Sequence, residues 1–381
     1  MMHIAFLTPE YPHEKVRHAA GIGTSIKNLV LALHKEGIKV SVFVYSQKTD
    51  EILEEDGIKI HLIQHKKYKA FGWYFYRKHL QNYLNSYITK DKIDLVEAPD
   101  WTGITAFMNL NAPLVIRFHG SDAYFCRLEN RKQKRKNFWF EKLGLEKAKA
   151  YIAPTQFAGN LTKEIFKIKG KLIQTLHYGI QLSDFSNETP EDFEPGLILY
   201  VGTIIRKKGV LELPAILEKV VAKNPEAHLL LIGSDSYDLQ TQSSSTWQLL
   251  HSMLNETLKE KVSYLGRVPY NEIREHIQKA NVCVFPTFAE TLGMVTIECM
   301  AMQKAVVNSN IGWAKELIVD GESGFLVHPK DHTVYAEKIN ELITDKNQVL
   351  QLGKNARTRV EHVFDIRKTV LQNIEFYKQQ L

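Results

Sequence analysis

Apolar residues between Thr24 and Glu36 fall on Ile26, Leu29, Val30 and Leu33, the i, i+3, i+4, i+7 stripe of a helix with one buried face, and Gly37 supplies its stop. On either side the pattern changes to short β-rich runs. Met1–Glu10 reads as a strand entering a turn, and Val40–Tyr45, Leu95–Glu97, Leu114–Phe118 and Tyr151–Ala153 read as strands separated by helix-length intervals. That alternation predicts a parallel sheet wound by helices. From Ser183 to Gly196 the rhythm breaks: Asp184, Asn187, Pro190, Asp192 and Pro195 make the stretch too polar and too punctuated for a core element, so residues 184–196 read as a linker. It restarts with Leu197–Val201, Leu229–Ile232, Val262–Leu265, Val282–Phe285 and Ala305–Val307. The expected architecture is therefore two α/β domains, residues 1–183 and 197–364, each a Rossmann-like, doubly wound parallel sheet. A terminal helix, Asp365–Leu381, lies beyond the last strand, in a position from which it can pack back onto the first domain. Ligands of open parallel sheets sit outside the carboxyl ends of the strands, so two such domains facing one another would enclose a central cleft lined by βα loops.

Composition narrows the class. With 381 residues, 44% apolar and 24% charged, the chain is expected to fold as an ordinary globular protein rather than remain disordered. It contains no apolar run of about 18 residues, so a spanning helix is not expected. No basic, apolar, small-residue leader precedes the first strand, which points to the cytoplasm. Cys126, Cys283 and Cys299 are widely spaced and fit neither a disulfide framework nor a zinc pattern; they read as reduced, packed thiols. The net charge of +6 hides a division: residues 1–185 carry 28 basic against 18 acidic side chains, the remainder 21 against 25. Two stretches are densest. Arg131, Lys132, Lys134, Arg135 and Lys136 run into Phe138, Trp139 and Phe140, and Lys66, Lys67 and Lys69 precede Trp73, Tyr74, Phe75 and Tyr76. Cations beside large aromatics suit an anionic membrane surface, at the inner face of the cell membrane for a cytoplasmic protein. Phosphate attraction would also serve nucleic acid, and a solvated helix face is the plain alternative.

Candidate chemistry concentrates in the second domain. After Leu197–Val201 come Gly202, Thr203, Ile204, Ile205, Arg206, Lys207, Lys208 and Gly209. A glycine at a strand end lets a ligand approach the backbone, and nearby cations make an anion cradle suited to a diphosphate. The spacing is not Walker A, because Val210 follows Gly209 where a lysine and a hydroxyl residue are needed. A second loop runs Phe285-Pro-Thr-Phe-Ala-Glu290-Thr-Leu-Gly293-Met-Val-Thr-Ile-Glu298-Cys-Met-Ala301. Glu290 and Glu298 are eight positions apart, so they cannot act as an i, i+4 pair, but they can address different parts of one extended ligand. Carboxylates accept hydrogen bonds from paired hydroxyls, which makes sugar or ribose rings suitable targets.

In this order the motifs resemble the retaining glycosyltransferases of the large GT4 family, which have the GT-B fold. Gly202–Gly209, Glu290 and Glu298 carry the resemblance. Gly21-Ile-Gly23 resembles the family's acceptor-side glycine loop, with Ala20 where one glycine is often found, and Phe118-His119-Gly120-Ser-Asp122 resembles its histidine segment. Tyr178-Gly179-Ile180 is similar to the passage into the linker, and Gly321-Glu-Ser-Gly324 to the closing glycine motif. The resemblance implies that Glu290 bonds donor-sugar hydroxyls, Glu298 the ribose diol, and Lys208 the diphosphate. The segment Leu292, Gly293, Met294 and Val295 would present backbone amides, and His119 would lie near the reacting sugar. Gly21, Gly23 and Asp122 would sit on the acceptor side. The family usually has an arginine directly after the first glycine, where this chain has Thr203; Arg206 is expected to reach into the same space. The implied reaction moves a glycosyl group from a UDP- or GDP-linked sugar, a co-substrate rather than a cofactor, to a hydroxyl of a saccharide or lipid-linked acceptor. Surface polysaccharide synthesis is the implied setting. No Asp-x-Asp occurs, so no metal is called for.

Three rivals remain in view. Gly21-Ile-Gly23 has Ile26 at the third glycine position of a dinucleotide fingerprint, and Val40–Tyr45 ends in Ser46 and Gln47 rather than an acidic residue, against a dehydrogenase. A protein that binds the nucleotide sugar without transferring it would keep every proposed group except the arginine replaced by Thr203. A lipid- or nucleic-acid-binding module rests on the basic first half alone.

Overall fold

A computed structural model describes residues 1–381 apart from His18 and Ala20, and apart from the Asn271 side chain. The chain divides into two compact units, Met1–Gln181 with Asp365–Leu381, and Leu182–Phe364.

The first unit is built on eight strands: β1 (His3–Thr8), β2 (Lys39–Gln47), β3 (Glu51–Glu55), β4 (Ile58–Gln64), β5 (Leu95–Pro99), β6 (Leu114–Arg117), β7 (Ala150–Ala153) and β8 (Ile173–Thr175). Their order is β3-β4-β2-β1-β5-β6-β7-β8, so the winding reverses between β1 and β5. All neighbours pair in parallel except β3 and β4. The uniformly parallel expectation is thereby corrected at one edge. The turn Asp56-Gly57, with φ of 53° and 75°, takes the doubly left-handed form that closes a two-residue antiparallel hairpin.

Each face of this sheet has its own core. On one, Ile26, Val30 and Leu33 of the helix Gly21–Lys35 pack with Val370, Phe376 and Tyr377 of the terminal helix Ile366–Gln380. On the other, Leu80, Leu84 and Ile88 of the helix Gly72–Asp91 pack with Ala5, Val96 and Ile116. The terminal helix is thus part of the first unit, anchored by a buried polar cluster. Arg117 donates from Nε to Glu97 Oε1 at 2.7 Å and from Nη2 to Glu97 Oε2 at 3.0 Å and Asn373 Oδ1 at 2.7 Å; the Tyr377 hydroxyl donates to Glu97 Oε2 at 2.6 Å.

The second unit holds β9 (Leu197–Val201), β10 (His228–Ile232), β11 (Val262–Tyr264), β12 (Val282–Phe285), β13 (Ala305–Ser309) and β14 (Phe325–Val327), all parallel, in the order β11-β10-β9-β12-β13-β14. The reversal falls between β9 and β12, whose following loops are the two singled out from the sequence. Residues 184–196 are not a free linker: they belong to this unit. Phe185 is buried, Asn187 donates to the Met302 carbonyl at 3.0 Å, and Phe193 packs against the core, so three side chains hold down an otherwise polar stretch. Among the described residues no helix is long and apolar enough to cross a membrane.

Candidate active site

In the second unit the chain after β9 turns through Gly202 and an exposed Thr203, whose carbonyl accepts from the Tyr200 hydroxyl at 3.0 Å. Arg206–Lys208 then form one turn of 3-10 helix that ends at Gly209 with φ 71°. A Cβ on Gly209 would lie 1.6 Å from the Pro286 carbonyl oxygen. The close approach is needed because the Lys207 carbonyl accepts from Phe288 N at 2.9 Å and Ala289 N at 3.2 Å, sewing the loop after β9 to the loop after β12. Gly209→Ala is expected to break this seam and destabilise the unit by about 3 kcal/mol or more, read as a lowered melting temperature and lost donor binding.

The seam places Lys208 against Glu290, and the two form an ion pair. Glu290 also accepts from Thr291 N at 2.9 Å. Burial pushes its carboxyl up, but Lys208 and these hydrogen bonds outweigh burial and hold it below the ordinary range, so it is ionised. Gly293 follows in the left-handed region at φ 101° and opens the helix Met294–Ala301, whose N-terminus no side chain caps among the described residues. Unpaired amides at that end, with the helix dipole, favour an anion. Leu292 is fully buried, so only its backbone is available to a ligand. One turn further, Glu298 is buried and accepts from the Tyr270 hydroxyl at 2.8 Å. Burial pushes Glu298 up to about 7 against the lowering effect of that bond.

Arg206 does not stand open in the place of the missing arginine. Its guanidinium makes a two-pronged pair with Asp238, both contacts 2.8 Å, and Asp238 also accepts from Thr241 N at 3.0 Å and Thr241 Oγ1 at 2.6 Å. These bonds, Arg206 first, hold Asp238 well below the carboxylate range. Asp238 and Tyr270 carry no local sequence signal, since each acts on a partner about thirty residues away.

In the first unit, Gly21 and Gly23 lie inside the first helical turn rather than before it, because the Glu10 carboxylate accepts from Gly23 N at 3.0 Å and draws the helix start forward from Thr24. Nothing lies within 4 Å of a Cβ built on Gly21, whereas one on Gly23 would meet the Glu10 and Tyr11 backbone at 3.2 Å. Ala20 is outside the described residues. His119 follows β6; its amide donates to Asp100 Oδ1 at 2.9 Å, its Nδ1 lies 2.8 Å from the Tyr178 hydroxyl, and the two rings stack. Burial, and then the Arg117 guanidinium, bring His119 down to about 3, so the ring is neutral and cannot serve as a protonated acid near neutrality. Asp122 opens the helix Asp122–Leu128 and accepts from Asn137 at 3.2 Å and Arg131 at 3.4 Å. The amides of Asp122 and Ala123 are already taken by the buried Glu141 carboxylate, at 2.8 and 3.2 Å.

Residues 19–184 match the family model described as Glycosyltransferase Family 4, and residues 183–359 that described as Glycosyl transferases group 1. The capsular polysaccharide biosynthesis glycosyltransferase CapM of Staphylococcus aureus is 34% identical over 197 residues, and the match covers 49% of each chain, so it spans about half the length of that relative. The uncharacterised glycosyltransferase MJ1178 of Methanocaldococcus jannaschii is 24% identical over 355 residues, 89% of each chain. Among solved structures, sucrose-phosphate synthase from Thermosynechococcus elongatus has a TM-score of 0.81 at 22% identity, over 100% of this chain and 99% of that one. Anabaena HepE, in complex with UDP and glucose, has a TM-score of 0.75 at 16% identity over the whole of both chains. These two likenesses show the fold.

Proposed function

The chain belongs to the GT4-like glycosyltransferases of the GT-B fold, and on that premise we propose that it transfers a sugar from a UDP- or GDP-linked donor to an acceptor hydroxyl, with retention and without a metal. The observation that carries the reading is the seam between the loops after β9 and β12. It sets a cation, Lys208, and an ionised carboxylate, Glu290, beside the uncapped start of the helix Met294–Ala301. That is a leaving-group site and a hydroxyl-binding site in one place.

The second unit holds the donor. The diphosphate lies against the amides following Gly293 and competes with Glu290 for the Lys208 ammonium. Glu290, released from the lysine, takes the hydroxyls of the sugar. The C–O bond from the anomeric carbon to the diphosphate breaks, and Lys208 with the helix amides stabilises the charge left on the phosphate. The acceptor oxygen bonds to the same carbon on the same face, and its proton passes to the departing phosphate. No protein base is required, and the His119 ring, brought down to about 3 by burial and the Arg117 guanidinium, would be a weak one. The acceptor is a saccharide, free or lipid-linked, met by the first unit. A surface polysaccharide is favoured because CapM is named for capsular polysaccharide biosynthesis, and a UDP donor because HepE was solved with UDP and glucose.

Calorimetry with a panel of UDP- and GDP-sugars, followed by assay of released nucleotide with saccharide acceptors, tests the proposal. Failure of every donor to bind would discard it; tight binding with no release for any acceptor would make the chain a nucleotide-sugar-binding protein instead. A pH dependence is also expected. Glu298 must lose its proton before the carboxylate can accept both ribose hydroxyls, so donor affinity should rise from pH 6 to pH 8, by at most about tenfold per unit. Tyr270→Phe removes a bond that lowers the Glu298 pKa, so it should move the midpoint upward, and Glu298→Gln should flatten the curve. A UDP-sugar whose phosphates do not titrate in this range is the right probe.

A further inference from the structure

Two acid-free stretches of the first unit, residues 64–78 and 130–140, meet in the fold. Trp73, near the start of the helix Gly72–Asp91, lies 4.9 Å from Phe140 of the helix Arg135–Glu146 by ring centroids. The Lys136 ammonium sits over both rings, at 5.8 and 5.6 Å. This joint is half-buried, but the residues around it are not. Phe71 is 66% exposed, Trp139 55% and Phe75 45%. Exposed cations flank the rings on both sides, Lys66, Lys67 and Lys69 on one, Lys132, Lys134 and Arg135 on the other. Phe71 also adopts φ 50°, a conformation bulky side chains avoid, directly before the helix, and its ring lies 6.4 Å from Trp73. Folding uses the Phe71 backbone, whose carbonyl accepts from Tyr74 N at 2.8 Å and Phe75 N at 3.1 Å at the helix start, but it gives no return for leaving the ring in water.

We infer that this face docks on an anionic lipid bilayer, with Phe71, Phe75 and Trp139 entering the headgroup layer and the lysines meeting lipid phosphates. Rings of this size favour the boundary between hydrocarbon and water, and basic side chains add attraction to an anionic leaflet. A nucleic-acid duplex would account for the cations but would leave the apolar rings turned outward between them unused, because its bases are already stacked. The inference concerns the first unit alone and stands or falls independently of the transfer reaction.

The test is co-sedimentation of the full chain with phosphatidylcholine vesicles, with and without phosphatidylglycerol, at physiological salt. Binding should require the anionic lipid. Changing Lys132, Lys134, Arg135 and Lys136 together to Gln should weaken it by at least about tenfold. Phe71→Asn with Trp139→Ser should weaken it comparably; asparagine keeps the left-handed backbone and both side chains are exposed, so the melting curve should not move. Quenching of tryptophan fluorescence by brominated lipid should fall in Trp139→Phe. The proposal is overturned if the wild type fails to pellet with anionic vesicles, if the ring variant binds like the wild type, or if a nucleic-acid duplex at the same salt binds more tightly and indifferently to Phe71 and Trp139.

Discussion

Lys208→Ala is expected to lower kcat/KM about a hundredfold, a loss of about 3 kcal/mol of transition-state stabilisation, while leaving the fold intact. The lysine is only a quarter exposed and sits on a turn whose backbone is fixed from both sides, so its charge is delivered to one place. Because charge accumulates on the phosphate as the glycosyl bond breaks, the cation contributes more to the transition state than to donor binding, and the fall should appear chiefly in kcat. The substitution also leaves the Glu290 carboxylate without its ion-pair partner, raising its pKa. Activity remaining in the variant should therefore need a higher pH than the wild type. Steady-state kinetics across pH 6 to 9 measures both effects, and an unchanged kcat would remove Lys208 from the chemistry.

Glu97→Ala should destabilise the first unit by about 3 to 5 kcal/mol, the usual cost of stranding one member of a buried ion pair. Glu97 and Arg117 are both almost fully buried, and the carboxylate is shared with the Tyr377 hydroxyl of the terminal helix. Its loss leaves the Arg117 guanidinium with Asn373 and Tyr377 as neutral partners in a low-dielectric core and frees the helix that covers Val30 and Leu33. Denaturant melts should show the change, and Glu97→Ala with Arg117→Met should recover much of it by removing the stranded charge. A melt equal to wild type would mean that apolar packing alone holds the terminal helix.

What could be read from the chain depended on how far each signal reaches. The stripe Ile26, Leu29, Val30, Leu33 marks a helix because its neighbours lie within two turns, whereas the true start at Gly21 depends on Glu10 from another loop. Strands β9 and β12 are legible as apolar runs, and the switch point between them makes adjacent the loops that their glycines and carboxylates distinguish. The edge hairpin carried a usable mark in Asp56-Gly57, a pair suited to the tight antiparallel turn that it forms. Arg206 was expected to reach into the space of the arginine that Thr203 replaces, but its partner Asp238, thirty-two residues on, is brought up by a crossover that no local pattern marks. Residues 184–196 looked unanchored because three holding side chains are invisible to a count of polar positions.

Residues 365–381 complete the first unit, yet the ribosome makes them only after the whole of the second. At 5 to 20 residues per second, Met1–Gln181 waits roughly 10 to 40 seconds with one apolar flank uncovered while its neighbour emerges and can close first. Nascent chains of this protein should therefore engage a holding chaperone through the Val30 and Leu33 side of the incomplete sheet, and let go only once residues 365–381 have cleared the exit tunnel.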